Sequence, residues 1–158
     1  MTSDRRISRT ARAEGAPYTW ENFVARDGER VVENELDACL QSGCRTQTEY
    51  DMRWAEVEAR MRRAAAGNLH AADADEATPV RKQPYLWEIR WNFSARPFRL
   101  YHAEPSKQPR LLLALKYHWK DTSFPTRDQV LDEQDRQMAE AARRYQSSPL
   151  HPGEGLDD

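Results

Sequence analysis

The sequence predicts an α+β fold in which a small antiparallel sheet packs against an N-terminal helix hairpin and a C-terminal helix. Two observations carry this prediction. Apolar and polar residues alternate in three short segments between Tyr85 and Lys120, as they do in strands with one buried face. On either side of that region the spacing and the capping residues are those of helices. The predicted order is strand, two helices, three strands and a helix.

The predicted domain covers residues 18–146. We expect a first strand over residues 18–25 and an N-terminal helix pair over residues 30–41 and 46–67. A last helix should span residues 126–145. The polar connection over residues 68–79 is long enough to be a flexible loop, and we interpret its clustered acids as solvated charges. Those acids are Asp73, Asp75 and Glu76.

The helix ends carry their own signals. Thr46 with Glu49, and Thr126 with Gln129, have the spacing of a capping box, and Gly67 is a natural stop for the second helix. The second helix also has an apolar stripe, which we interpret as core packing rather than as a cofactor site. The stripe consists of Tyr50, Trp54, Val57 and Met61.

The two ends of the chain are predicted to lie outside the core. Residues 1–17 should form a mobile arm and residues 147–158 a mobile tail, because both are polar and neither has an apolar period.

The three central strands should form a meander, because they are joined by short turns at residues 92–97 and 104–109. One face is apolar and consists of Tyr85, Trp87, Ile89, Trp91, Phe98, Leu100, Leu111, Leu113, Leu115 and Tyr117. The other face is polar and consists of Glu88, Arg90, Arg99, Tyr101, Lys116, His118 and Lys120. We therefore expect one polar surface built from three neighbouring strands.

Charge is distributed unevenly along the chain. Residues 79–120 contain nine basic and two acidic side chains, a net charge of +7, whereas the whole chain of 158 residues carries −2. A basic patch on an acidic frame suits a phosphate backbone better than a neutral metabolite. The alternative is a solvated surface in an arginine-rich protein, since only four of the 24 basic residues are lysines.

The sequence lacks the motifs of nucleotide hydrolases, zinc ribbons and serine hydrolases, which excludes these three classes of protein. There is no Gly-rich phosphate loop, no Cys-x-x-Cys pair and no serine elbow. Cys39 and Cys44 have no further cysteine or nearby histidine with which to bind zinc, so we interpret them as small half-buried residues, with a disulfide as the alternative. We expect no metal and no cofactor. The chain has no long apolar run and no secretory signal, which predicts a cytoplasmic protein without membrane contact.

Five segments in this order resemble the RelE superfamily, especially its HigB-like, phage-derived branch. They are Glu21-Asn-Phe-Val-Ala-Arg-Asp-Gly28, Leu86-Trp-Glu-Ile-Arg90, Arg99-Leu-Tyr101, Lys116-Tyr-His-Trp-Lys-Asp-Thr122 and Met138-Ala-Glu-Ala-Ala-Arg-Arg-Tyr145. The resemblance covers about residues 18–146. Asp121 stands where the family signal has a second lysine. The resemblance implies the toxin of a type II toxin–antitoxin pair, which cleaves mRNA in the ribosomal A site and is silenced by a helix-turn-helix antitoxin.

The polar face offers the groups that a metal-free endoribonuclease needs, namely a proton acceptor for the 2′-hydroxyl, cations for the phosphorane and a donor for the leaving oxygen. The candidate catalytic residues are His118, Arg99, Lys116 and Tyr101. The candidate RNA-binding residues are Arg90, Lys120, Arg81, Lys82 and Tyr145. Glu88 is interpreted as an ion-pair partner of the arginines, and His102 is left out because it alternates toward the apolar face.

Two other functions remain open at this point. The chain can be a catalytically inactive relative that uses the same patch to bind RNA or a protein. It can also be a phage-associated accessory protein that keeps only the scaffold.

Overall fold

The computed structural model describes residues 7–69, 78–80 and 82–153. Its elements are, in chain order, a 3-10 helix (Arg9–Ala11), β1 (Thr19–Asn22), α1 (Val31–Gln41), α2 (Gln47–Ala65), β2 (Thr78–Val80), β3 (Gln83–Phe93), β4 (Arg96–Ala103), β5 (Leu111–Trp119) and α3 (Arg127–Ser147). The predicted α+β class is confirmed. β2 is an additional strand at the end of the predicted loop, whose acids Asp73, Asp75 and Glu76 lie outside the described residues.

The five strands form one sheet in the order β1-β5-β4-β3-β2. The predicted meander of β3, β4 and β5 is confirmed, since each of these strands pairs antiparallel with the next. The prediction of a wholly antiparallel sheet is wrong, because β1 runs parallel to β5, with Thr19 opposite Leu111. The helix hairpin and the meander separate these two strands in sequence, and so long a connection can return the chain in the same direction.

A β-bulge interrupts the pairing of β4 with β5. Tyr101 lies opposite Lys116 but His102 lies opposite Ala114, so Leu115 has no partner on β4. The extra residue reverses the alternation of β5. As a result Leu113, which lies opposite Ala103, shares a face with Lys116 and not with Tyr117. The predicted apolar face is therefore wrong for the first half of β5.

The helix starts are as predicted. The Thr46 hydroxyl accepts a hydrogen bond from the Glu49 N–H, and Thr126 and Gln129 form a complete capping box at the start of α3. Gly67 ends α2 with a φ of 72°. A Cβ at this position would lie 2.1 Å from the carbonyl oxygen of Arg12, so only glycine fits here.

α1 and α2 pack on the apolar face of the sheet. The indole N–H of Trp119 donates to the carbonyl of Cys39 on α1 (2.8 Å), and that of Trp20 donates to the carbonyl of Met61 on α2 (2.9 Å). Phe98 and Tyr117 stack with ring centroids 5.8 Å apart in the same layer. Cys39 and Cys44 are free, so the disulfide alternative is not formed. α3 lies over the polar face of the sheet.

The chain before β1 is folded where the structure describes it, contrary to the predicted mobile arm. Ser8 donates to Glu104 (2.5 Å), and the Arg9 N–H donates to the same carboxylate (2.9 Å). The Arg9 guanidinium donates to the carbonyls of Gln108 and Leu111. Ser8 and Thr10 are buried. These long-range contacts tie Ser8 and Arg9 to the connection between β4 and β5.

The predicted tail is also partly folded. Beyond α3, Leu150 packs against the core and the ring of His151 lies edge-on to Tyr145. The Lys107 ammonium donates to the carbonyl of His151 (3.2 Å). The remaining residues of the predicted arm and tail, 1–6 and 154–158, lie outside the described part of the chain.

Candidate functional site

Six polar side chains form two rows across the meander, on the face of the sheet opposite Phe98 and Leu100. In the first row Arg90 lies opposite Arg99, which lies opposite His118. In the second row Glu88 lies opposite Tyr101, which lies opposite Lys116. We call these six residues the polar rows. The predicted catalytic residues His118, Arg99, Lys116 and Tyr101 are thus brought together by the strand register, along with the predicted RNA-binding residue Arg90.

Tyr101 and His118 form a hydrogen-bonded couple at the centre of the polar rows. Nδ1 of His118 lies 3.1 Å from the carbonyl oxygen of Trp119, which can only accept, so this nitrogen carries the proton. Nε2 is therefore the acceptor for the Tyr101 hydroxyl, at 3.0 Å. The two rings stack with centroids 5.1 Å apart. The couple joins a proton acceptor to a proton donor.

Burial shifts the pKa of both members of the couple. Burial, helped by the charges of Lys116 and Arg99, lowers the pKa of His118 to about 4, although the hydrogen bond to Trp119 opposes this shift. Burial also raises the pKa of Tyr101, and the Glu88 carboxylate adds to that effect. At neutral pH His118 is therefore an uncharged imidazole and Tyr101 an intact phenol.

Glu88 holds the two arginines of the first row. Its Oε1 lies 2.6 Å from Nε of Arg99 and 3.3 Å from Nε of Arg90. Glu88 and Arg99 are buried, whereas the Arg90 side chain is 39% exposed. The prediction that Glu88 is an ion-pair partner is confirmed. Burial lowers the pKa of Arg99, although Glu88 opposes this, and a guanidinium remains charged at any physiological pH.

Lys116 is enclosed by carboxylates from two helices. Its ammonium lies 2.9 Å from Glu35 of α1 and 3.2 Å from Glu140 of α3. Arg144 of α3 also pairs with Glu35 (3.1 Å) and donates to the carbonyl of Leu115 (2.7 Å). Lys116 therefore joins α1 and α3 across the sheet.

α3 covers the second polar row. The side chain of Gln134 approaches the Tyr101 hydroxyl, in addition to the contact of Glu140 with Lys116. Tyr101 is fully buried and His118 and Lys116 are nearly so, which leaves Arg90 as the most exposed member of the polar rows.

The remaining predicted RNA-binding residues lie around this cluster or apart from it. Lys120 is half-exposed, and its backbone N–H donates to Pro97. Lys82 is exposed and pairs with Asp135 of α3 at 2.5 Å. Tyr145 is buried near the end of α3, edge-on to His151. Arg81 lies outside the described residues.

Sequence reasoning missed the helix residues that complete the cluster, which are Glu35, Gln134, Glu140 and Arg144. A partial signal was present, because Glu140 and Arg144 are four residues apart and so share a helix face. Glu35 on α1 had no such signal, since its contacts depend on how α1 lies against β5.

A second buried polar cluster lies at the other end of β4. His102 is fully buried, with Nε2 3.0 Å from the Glu104 carboxylate and its ring edge-on to Trp20. Burial alone would raise the pKa of Glu104, but the hydrogen bonds from His102, Ser8 and Arg9 hold it below its usual value. His102 faces the apolar side as predicted, and this cluster fastens the N-terminal segment.

Within the described ranges, no three histidine, cysteine, aspartate or glutamate side chains are grouped so that they could hold a metal ion. None of the helices in those ranges has both the length and the apolar character needed to cross a membrane. No protein-family model matches the chain, and no curated protein and no solved structure is significantly similar to it.

Proposed function

We propose that the chain has a RelE-like fold and is the toxin of a type II toxin–antitoxin system, an endoribonuclease that cleaves mRNA on the ribosome. The observation that carries the proposal is the Tyr101–His118 couple set beside Arg99 and Lys116. A donor, an acceptor and fixed cations within one cluster are the groups that phosphodiester cleavage by the 2′-hydroxyl requires. The element order and the basic meander support the same proposal.

In the proposed reaction the ribose 2′-oxygen bonds to the neighbouring phosphorus as the bond from phosphorus to the 5′-oxygen breaks. Nε2 of His118 takes the proton of the 2′-hydroxyl, and Tyr101 gives its proton to the departing 5′-oxygen. Proton transfer between the two across their 3.0 Å hydrogen bond restores both. The products are a 2′,3′-cyclic phosphate and a 5′-hydroxyl.

The cations of the polar rows stabilise the negative charge on the phosphorane in this mechanism. Arg90 and Arg99 offer forked donors from adjacent strands, and the half-exposed Lys120 follows the end of β5. Because α3 lies over Tyr101 and Lys116, RNA reaches the couple only when the contacts of Gln134 and Glu140 open. Arg90, the most exposed member of the polar rows, is then the first contact for the incoming RNA.

The partners that go with this function are mRNA in the ribosomal A site and a helix-turn-helix antitoxin, in the cytoplasm. Residues 79–120 carry a net positive charge, whereas the rest of the chain is acidic. An acidic partner can therefore cover the basic face.

A catalytically inactive module that binds RNA or a protein, such as a phage-associated accessory protein, is the second candidate. Two observations favour it: Lys116 is already paired with two carboxylates, and Tyr101 is fully buried. In that case only the exposed basic residues, such as Arg90 and Lys82, contact the ligand.

Induction of the chain in a bacterial host tests the proposal. We expect growth arrest and cut mRNA with the unaltered chain and with Lys107→Ala, and neither effect with Tyr101→Phe/His118→Gln at the same protein level. Absence of arrest with the unaltered, folded chain would favour the inactive module.

A further inference from the structure

A cavity of about 470 Å³ opens between α3 and the edge of the sheet formed by β2 and β3. Glu88 and Arg90 of the polar rows line its sheet side. Apolar side chains line much of the remainder, contributed by Pro79, Val80, Leu131 and Met138. A volume of this size with apolar walls and a few polar groups is typical of small-ligand sites.

The charges around this cavity balance. Lys82 and Asp135 lie at its rim and pair with each other at 2.5 Å, while Glu88 and Arg90 are 3.3 Å apart on its sheet side. Two cations and two carboxylates give no net charge, so the cavity does not favour a free phosphate, which an excess of cations would attract. A neutral ligand is the better match.

The sheet side of the cavity places hydrogen-bond acceptors next to donors. Glu88 can only accept and Arg90 can only donate. Oε1 of Glu88 is buried and lies 2.6 Å from Nε of Arg99 and 3.3 Å from Nε of Arg90. A ligand in the cavity therefore meets the rest of the Glu88 carboxylate and the terminal nitrogens of Arg90, whose side chain is 39% exposed. A planar ligand whose edge carries donors beside an acceptor would complement this pair.

We propose that this cavity binds a nucleobase, with guanine as the best-matched base. The N1–H and amino group of guanine can donate to Glu88 while O6 accepts from Arg90, and the ring faces can pack on Val80, Leu131 and Met138. This inference rests on the proposed RNA function, because it takes the ligand to be a nucleotide of the RNA. It assigns the base beside the cleaved phosphate to the cavity, and the phosphate itself to Arg99 and Lys116, the two cations of the polar rows that do not line the cavity.

The test is calorimetric titration of the whole chain with GMP, AMP, CMP and UMP, each repeated with inorganic phosphate as competitor. Leu131→Trp fills the cavity from its rim, where Leu131 is 42% exposed, so the core is not disturbed. Met52→Trp is the matched control, since Met52 lies on α2, is 59% exposed and does not line this cavity.

We expect GMP to bind more tightly than UMP by about tenfold, and Leu131→Trp to weaken GMP binding by about tenfold or more. Met52→Trp should bind GMP as the unaltered chain does, and inorganic phosphate should not compete. Equal GMP binding by Leu131→Trp, or displacement of GMP by phosphate, would overturn the inference.

Cleavage of translated mRNA by the same proteins separates this inference from the proposed function. If the unaltered chain cuts mRNA but binds none of the four nucleotides, the base site is wrong and the proposed function stands. If GMP binding is lost only in Leu131→Trp but no protein cuts mRNA, the base site stands and the chain is a binding module.

Discussion

The Tyr101 hydroxyl donates to Nε2 of His118 across 3.0 Å, from the adjacent strand β4 and within a stacked pair of rings. The carbonyl of Trp119 fixes the tautomer that makes this possible, because it holds the proton on Nδ1. The Gln134 side chain meets the same hydroxyl from α3. The Tyr101 phenol is therefore the point at which the candidate acid–base pair of the sheet meets the helix that covers it.

Tyr101→Phe should slow cleavage by about a hundredfold or more and leave RNA binding nearly unchanged, because it removes the transferable proton but keeps the ring and the neighbouring arginines. The buried Nε2 of His118 loses its donor, so the free energy of unfolding should fall by about 1–2 kcal/mol. Urea denaturation and a cleavage assay on translated mRNA measure the two effects. Cleavage at the unaltered rate would remove Tyr101 from the mechanism.

His118 should make the protein less stable in mild acid. Its folded pKa of about 4 lies below its ordinary value of 6.5, so the unfolded chain binds a proton that the folded protein excludes. The stabilisation that comes from keeping this imidazole neutral is complete above the unfolded pKa and is lost as the pH falls toward the folded pKa. We expect a loss of about 2 kcal/mol between pH 7.5 and pH 5.0. Urea denaturation at both values should show a smaller loss in His118→Gln, and an identical loss would contradict the burial of the imidazole.

Arg99→Ala should impair the protein more than Lys107→Ala. Arg99 is buried against Glu88, so its removal leaves that carboxylate with Arg90 alone and should cost about 3 kcal/mol. Lys107 is exposed on a turn, where a loss of no more than about 0.5 kcal/mol is expected. Arg99→Lys keeps the charge. If this variant folds but no longer cleaves mRNA, the effect of Arg99 on cleavage is distinct from its effect on folding. Equal effects of the two alanine variants on folding and cleavage would count against the site.

Glu104→Gln should loosen the N-terminal segment. The Glu104 carboxylate holds Ser8, the Arg9 N–H and His102 together, and an amide accepts these bonds less strongly. We expect a loss of about 1–3 kcal/mol and faster hydrogen exchange at the Arg9 amide, with exchange in β4 little changed. Unchanged exchange at Arg9 would mean that other contacts hold the segment.

Much of the candidate site could be predicted from the sequence because strand alternation is local. Side chains two residues apart share a face wherever a strand is regular, so Arg99 with Tyr101 and Lys116 with His118 could be assigned to neighbouring positions on one surface. The helix starts were predictable for the same reason, since a cap acts within one turn.

The remainder depends on contacts between distant parts of the chain. The bulge at Leu115 arises from the pairing register of two strands, and the parallel position of β1 depends on the path of the whole chain. The segment before β1 looked mobile because its polar residues have no apolar period. Its anchor is Glu104, almost a hundred positions away in sequence. In the same way, Tyr101 is buried because α3 lies over it, and the sequence of β4 does not reveal where α3 lies.

The most direct test of the proposed enzyme is a reconstituted bacterial translation reaction with the purified chain, in which the ends of the mRNA fragments are mapped. We predict cuts only in translated mRNA, ending in a 2′,3′-cyclic phosphate, and a rate lower by about a hundredfold or more in folded Tyr101→Phe. Intact mRNA with the unaltered folded chain, or equal rates for the two proteins, would contradict a ribonuclease built on Tyr101 and His118.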